Sequence, residues 1–306
     1  MRILMLASLI VGIAISANAQ SLNEKLGYSR EAKLLIVHAD DVGVTHSVNA
    51  ATIRALETVA VNSASIMVPC PWFPEIADYA KTHPDADFGL HLVLTSERVY
   101  YRWGSVAPHD KVPSLVDPNG YFHHDWDQGQ RIDPRDAEAE LRAQIQRALA
   151  MGIRPTHFDS HQHRLIGTNK ELFLVFLRLA HEFGVPAFVA RDWFAEHPYI
   201  EKVLGPADVV LDHTVTIDPS VGPEKWNDFY RTALKNLQPG VTEFVIHVGY
   251  DDEEMRAFSR ERATWGSAWR QRDFNFFTSA EFRELLQEQH IQLITWRELA
   301  RAAKPH

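Results

Sequence analysis

In "LLIVHADDVGVTHSVNAA" (residues 34–51), four apolar residues run straight into His38, Asp40 and Asp41. An ionised side chain is costly to desolvate without a partner. Either this run reaches solvent at its end, or its carboxylates face something positive. Three other apolar stretches carry residues of the same kind. "FGLHLVLT" contains His91, "THFDSHQHR" supplies His157, Asp159, His161 and His163, and "EFVIHVGY" sets His247 ahead of Tyr250, Asp251 and Asp252. Singly, each has an ordinary reading as a hydrogen-bonded core histidine, a solvated strand end or a helix cap. Recurrence at four strand ends favours a shared site. One carboxylate with two imidazoles is a common oxygen–nitrogen metal site that leaves positions open for water and substrate. Paired acids suit such a site, because one can hold the cation while its neighbour accepts a proton from acidified water. On this reading the counter-charge of the two acids is a divalent metal.

The elements that must position these residues alternate. Short β-rich runs fall at 34–38, 65–68, 88–94, 156–158, 187–190, 209–211, 243–248 and 291–296, several of them apolar throughout, as strands covered on both faces are. Helical patterns lie between them. Residues 134–151 put Leu141, Ile145, Ala148 and Leu149 on one face, with Asp133-Pro134 before and Gly152 after. Residues 169–183 carry Leu172, Phe173, Phe176 and Ala180 and stop at Gly184, and Thr278 with Glu281 forms a capping-box pattern ahead of Phe282. Such alternation predicts an α/β fold with a parallel sheet or barrel, whose active site gathers at the carboxyl ends of the strands. Two stretches, 97–132 and 249–273, break the rhythm and are rich in aromatic and charged residues. Long insertions of this kind often build a substrate cleft. Tyr100, Tyr101, Trp103, Trp126, Trp265 and Trp269 within them could stack on a substrate, although Trp265 and Trp269, four apart, equally suit packing a helix onto the sheet.

The chain has 306 residues, a formal net charge of −9 and one cysteine, Cys70. A single thiol excludes an internal disulfide and zinc sites built on several thiolates. The acidic balance argues against nucleic acid as a partner. Residues 1–20 have Arg2, an apolar stretch and Ala17-Asn18-Ala19, which reads as a secretory signal peptide, so residues 21–306 are expected to form one exported domain, periplasmic or secreted, with no membrane span after cleavage. Homodimerisation is left open.

"LLIVHADDVGVTHSVNAATIRAL", "NSASIMVPCPWF", "DFGLHLVLT", "RPTHFDSHQHR" and "VTEFVIHVGY" resemble, in order and spacing, the motifs of the YdjC-like carbohydrate deacetylases, and the match spans roughly residues 33–298. The resemblance implies a deformed TIM-like (β/α) barrel in a single domain. It also implies removal of acetyl groups from N-acetylated sugars, chitin-type oligosaccharides among them, with one divalent metal ion, Mg2+ or Zn2+. Carried over by position, Asp41, His91 and His161 are the metal ligands, Asp40 the general base and His247 the general acid. Tyr250, Trp103 and Arg164 are candidate substrate contacts. The chain departs from the family pattern at His38, Val42, Gln162 and Arg164. Another metal-dependent hydrolase, such as a phosphoesterase, or an exported metal- or sugar-binding protein without catalysis would draw on the same residues; the unligated Asp40 argues against pure binding.

Overall fold

The computed structural model describes residues 20–124, 132–167 and 169–302. Most of the leader segment and Trp126 lie outside the described residues. Seven parallel strands form one sheet: β1 (Lys33–Val42), β2 (Ser63–Ile66), β3 (Phe88–Leu92), β4 (Phe158–Ser160), β5 (His213–Thr216), β6 (Gly240–Ile246) and β7 (Ile291–Leu293). Their order is β4-β3-β2-β1-β6-β5, and β7 joins the lower part of β1. The two edges are linked through residues 186–191. There Phe188 N–H donates to the Phe158 carbonyl (2.7 Å) and Leu211 N–H to that of Val189 (2.9 Å). The sheet thus curls into the deformed barrel expected, with helices packed around it.

Several strand boundaries differ from expectation. Residues 187–190 and 209–211 contribute only single bridges, Phe158 with Ala187 and Ala190 with Leu211. Regular pairing starts at His213, because the Asp212 carboxylate takes the Val241 N–H (2.9 Å) just before it. Trp296 begins a helix (Trp296–Ala302) instead of ending a strand, since the Asp87 carboxylate accepts the amides of Trp296 (3.1 Å) and Arg297 (2.9 Å). The helix Ala280–Glu288 is capped by Ser279, whose Oγ accepts the Phe282 N–H, while Glu281 pairs with Arg231. The helices Pro134–Ala150 and Lys170–Phe183 are capped by Asp133 and Asn169.

Successive strand residues face opposite sides. On β1, Leu35, Val37 and Ala39 pack into the large apolar layer under the helices, while Leu34 and Ile36 join Val241, Val245, Ile294 and Trp296 inside the barrel. The inward row of β1 is therefore apolar at the floor and turns polar at His38 and Asp40. The other strands do the same. Ser63 and Ser65 on β2, His91 on β3, Asp159 on β4 and Glu243 on β6 are buried polar residues that share this interior. Gly89 gives room below His91: a Cβ there would lie 2.4 Å from the His157 ring, which stacks on Trp296 with centroids 4.8 Å apart.

Gly89→Ala should therefore displace His157 and cost about 1–3 kcal/mol, the usual range for overpacking, measurable as a lowered urea midpoint. Glu243 yields a second prediction. Burial pushes its carboxyl up to about 8, with Trp296 Nε1–H donating to Oε2 (2.7 Å). A carboxyl with a raised folded pKa stabilises fully below its unfolded pKa and loses that contribution as pH rises through the folded one. Wild-type stability should fall between about pH 4.5 and 8 from this group. Glu243→Gln should flatten that fall and be the more stable protein at pH 9, as followed by thermal unfolding across pH.

Candidate metal and active site

Adjacent residues of a regular strand cannot share a face, yet Asp40 and Asp41 both enter the barrel mouth. The cause is a bulge. The register of β1 against β2 slips between Ala39 and Val42, and Asp41 adopts a left-handed φ of 66°. For a non-glycine residue this conformation costs about 1–3 kcal/mol and persists only where surrounding contacts fix it. Here the contacts are charges. Arg270 Nη2 donates to Asp41 Oδ2 at 2.5 Å. Asp41 Oδ1 lies 3.5 Å from His91 Nε2 and 3.3 Å from His161 Nδ1, and those two nitrogens are 3.1 Å apart.

The outer ring nitrogens are held by carboxylates. His91 Nδ1–H donates to Asp159 Oδ1 (2.9 Å), and His161 Nε2–H donates to Glu97 Oε2 (3.0 Å). A carboxylate only accepts, so these partners hold the outer N–H of each ring and turn both inner nitrogens toward one point, where each offers a lone pair once its ring is neutral. Asp41 Oδ1 is buried without a hydrogen-bond partner at that same point. Something cationic belongs between the three atoms. Burial opposes a charged ring, yet Glu97 and Asp41 push His161 up to about 10, and Asp159 and Asp40 raise His91 as well. The donor set of one carboxylate oxygen and two imidazole nitrogens fits a divalent metal.

Asp40 stands beside this trio without joining it. Its Oδ1 is 3.2 Å from His38 Nε2, 3.4 Å from Ser65 Oγ and 3.8 Å from His91 Nδ1, and its Oδ2 is 3.9 Å from His247 Nε2. Despite burial, His91 and His38 keep its carboxyl below the usual range, so it is ionised at neutral pH. His38 is gripped by Ser63, Ser65 and Asp159. Burial opposes its charge, but Glu243, Asp159 and Asp40 together raise its pKa well above the ordinary imidazole range. His247 goes the other way: burial lowers it to about 4, only partly offset by Asp41 and Asp40, so it is neutral at pH 7. Its backbone N–H is anchored by Asp273 Oδ2 (2.9 Å), while the other oxygen, Oδ1, accepts from Trp226 Nε1–H and the Tyr230 hydroxyl.

The cluster opens into a cavity of about 660 Å³. Arg164, Trp265 and Arg262 line it on the polar side, and Ile166, Phe188 and Val245 form an apolar patch. Of the candidate substrate contacts, Arg164 is therefore at the chamber. Trp103 is buried, donates Nε1–H to the Thr95 carbonyl (2.8 Å) and meets the His161 ring edge-on at 6.4 Å, so it backs a ligand and offers no face to the chamber. Tyr250 packs edge-on against Phe274 and is absent from the lining. Among the other aromatics, Trp269 is buried against Trp226, and Tyr100 is exposed under Arg260. Glu97, Arg98 and Arg270 are site residues that sequence reasoning did not single out. All three lie in the two non-periodic stretches, where the only available signal was charge within a long insertion.

A family model described as YdjC-like protein matches residues 34–288. A carbohydrate deacetylase of Brevibacillus brevis is 31% identical over 268 residues, covering 87% of this chain and 99% of the relative. A carbohydrate deacetylase of Thermus thermophilus is 30% identical, with 91% and 98% covered. The crystal structure of an Enterococcus faecalis protein named for cellobiose-phosphate cleavage superposes with a TM-score of 0.74 at 28% identity, covering 88% of this chain and 99% of that one. The match reaches from the opening strand of the barrel to the helix before β7, and so contains every residue gathered at the mouth: the chain belongs to the YdjC-like family.

Proposed function

We propose that this protein is a metal-dependent carbohydrate deacetylase that hydrolyses the N-acetyl group of an acetylated sugar or oligosaccharide of the chitooligosaccharide type, acting outside the cytoplasm as the apolar leader suggests. The observation that carries this reading is the geometry at the bulge. Three ligand atoms converge, and an ionised carboxylate that is not one of them stands next to them in an open chamber. The names of the relatives supply the sugar and the acetyl group.

Asp41, His91 and His161 are the residues that would hold the ion, Zn2+ or Mg2+. When bound, it supplies a Lewis acid that acidifies water and polarises a carbonyl oxygen. Asp40 does the proton work. Its ionised carboxylate takes a proton as the water oxygen bonds to the acetyl carbon. The C–N bond then breaks, giving acetate and an amine that must be protonated to leave. In this reading His247 delivers that proton. Being neutral at rest, it has to draw on the proton gathered at Asp40, whose Oδ2 is 3.9 Å from Nε2. His38 and Ser65 fix the other oxygen of Asp40 and so keep Oδ2 turned toward the reaction.

The test is acetate release from N-acetylated chitooligosaccharides in the presence of Zn2+ or Mg2+. Asp40→Asn should lower turnover by about 10²–10⁴-fold, the range for a general base, while still binding metal; Asp41→Ala should lose both. Release of phosphate from a sugar phosphate with no acetate from any N-acetyl sugar would overturn the deacetylase reading. A pH prediction follows from the ligands themselves. His161, pushed up to about 10, is protonated at neutral pH and must give up that proton to bind a cation. Metal affinity should therefore rise with pH, by about tenfold per unit for each proton released. Calorimetry of Zn2+ binding in buffers of different ionisation enthalpy should count at least one proton released per ion at pH 7.

A further inference from the structure

We propose that Arg270 is a positioning residue of the metal centre: its guanidinium forks between the Asp41 carboxylate and the Trp265 carbonyl, so that Asp41 presents the single oxygen Oδ1 to the ion and the loop at residues 259–266 is fastened to that ligand. The proposal rests on the metal-site reading above and concerns how the site is held.

The two oxygens of Asp41 have different surroundings. Oδ2 accepts from Arg270 Nη2 at 2.5 Å, whereas Oδ1 is buried, without a hydrogen bond, and faces the two imidazoles. Arg270 is thus the donor that sets the rotation of this carboxylate; His247 Nε2 is 3.9 Å from the same oxygen. The guanidinium is itself fixed. It is 1% exposed, its Nε donates to the Trp265 carbonyl at 2.8 Å, and Gly249 lies so close that a Cβ there would sit 3.1 Å from Arg270 Cβ.

Trp265 adopts a left-handed φ of 52°, and its carbonyl receives a second buried arginine, Arg98, through Nη2 at 3.5 Å. Arg98 also donates to the Arg262 carbonyl (3.3 Å), and its Nε is 3.8 Å from the Oε1 of Glu97, the carboxylate that orients His161. One loop carbonyl therefore anchors the arginines that stand behind two of the three ligands. A lone charge would neutralise Asp41 equally well from any side. What the fork adds is a fixed direction, which lysine, with one compact ammonium, does not reproduce.

The test is calorimetric titration of the full chain, stripped of metal by chelation, with Zn2+. Wild type, Arg270→Gln and Arg270→Lys are compared, each with its urea midpoint. Loss of a partner that orients a metal ligand typically lowers affinity by about 10–100-fold, and that loss is expected in both variants, while the urea midpoint of Arg270→Lys stays near that of wild type. A loss confined to metal affinity is not what a general packing defect gives. Should Arg270→Gln not fold, Arg270→Lys, which keeps the charge and most of the volume, bears the same comparison. Wild-type Zn2+ affinity in either folded variant overturns the proposal. Absence of Zn2+ binding in the wild type would instead overturn the metal-site reading on which it rests.

Discussion

Four carboxylates, those of Asp40, Asp41, Glu97 and Asp159, are buried together at the mouth of this barrel, none of them more than 9% exposed. Ionised groups taken out of water destabilise a fold unless opposite charge and hydrogen bonds compensate them, and acids packed together repel one another as well. Despite burial, all four stay below the ordinary carboxylate range, because each faces an imidazole or a guanidinium: His91 and His38 for Asp40 and Asp159, Arg270 and His161 for Asp41, His161 for Glu97. Much of the remaining architecture satisfies this one requirement. His38 is kept charged in the barrel interior, two arginines are buried behind Asp41 and Glu97, and the inner nitrogens of His91 and His161 converge on the Asp41 carboxylate.

The bulge in β1 is where this electrostatic demand alters the backbone. With regular alternation, Asp41 would join Leu35, Val37 and Ala39 on the outward face, an uncompensated acid in the apolar layer. The left-handed turn at Asp41 brings it inward, and Val42 returns the chain to the sheet opposite Ile66. Pairing with β6 is unbroken from Lys33 to Ala39, so the irregularity is confined to the last residues of the strand. Below it the inward row is ordinary barrel packing, and the transition from apolar floor to polar mouth takes place within two residues, from Ile36 to His38.

What could be read in the sequence follows from this arrangement. Strands whose chemistry lies in their own periodicity were legible: Asp41 lies near the end of β1, His91 lies within the apolar run of β3, and His161 directly follows β4. The two-residue parity of those runs even separates inward from outward residues, apart from Asp41, where the bulge overrides it. Residues that act from irregular segments were not legible. Glu97 and Arg98 follow β3 by a few residues, and Arg270 sits on the helix Ser267–Phe277, which has polar and apolar residues on all sides and gives no pattern to assign its inward position. Trp103 fails for a different reason. An indole in an aromatic-rich insertion serves equally as a cleft platform or as backing for a ligand, and only its bond to the Thr95 carbonyl decides for backing. The sequence pattern points to 209–211 ahead of β5 because "HTVT" is half-buried and polar, whereas the apolar Val209 and Leu211 just before it face the interior.

These two classes of residue meet at the Trp265 carbonyl. The strand ends supply Asp41, His91 and His161 and the insertions supply the chamber wall; Arg270 bonds that wall to Asp41, and Arg98 brings its guanidinium within 3.8 Å of Glu97. A barrel that changes substrate by changing its loops ordinarily keeps its catalytic groups out of that exchange, since they sit on strands. Here the separation is incomplete. Moving the loop at residues 259–266 moves a carbonyl shared by two buried arginines, and so displaces charge next to Asp41 and Glu97. The wall and Asp41 are therefore one hydrogen-bonded unit through Arg270. A substitution at Trp265 or Arg262 that reshapes the chamber also changes the field at Asp41 and Glu97 through the same short segment of backbone.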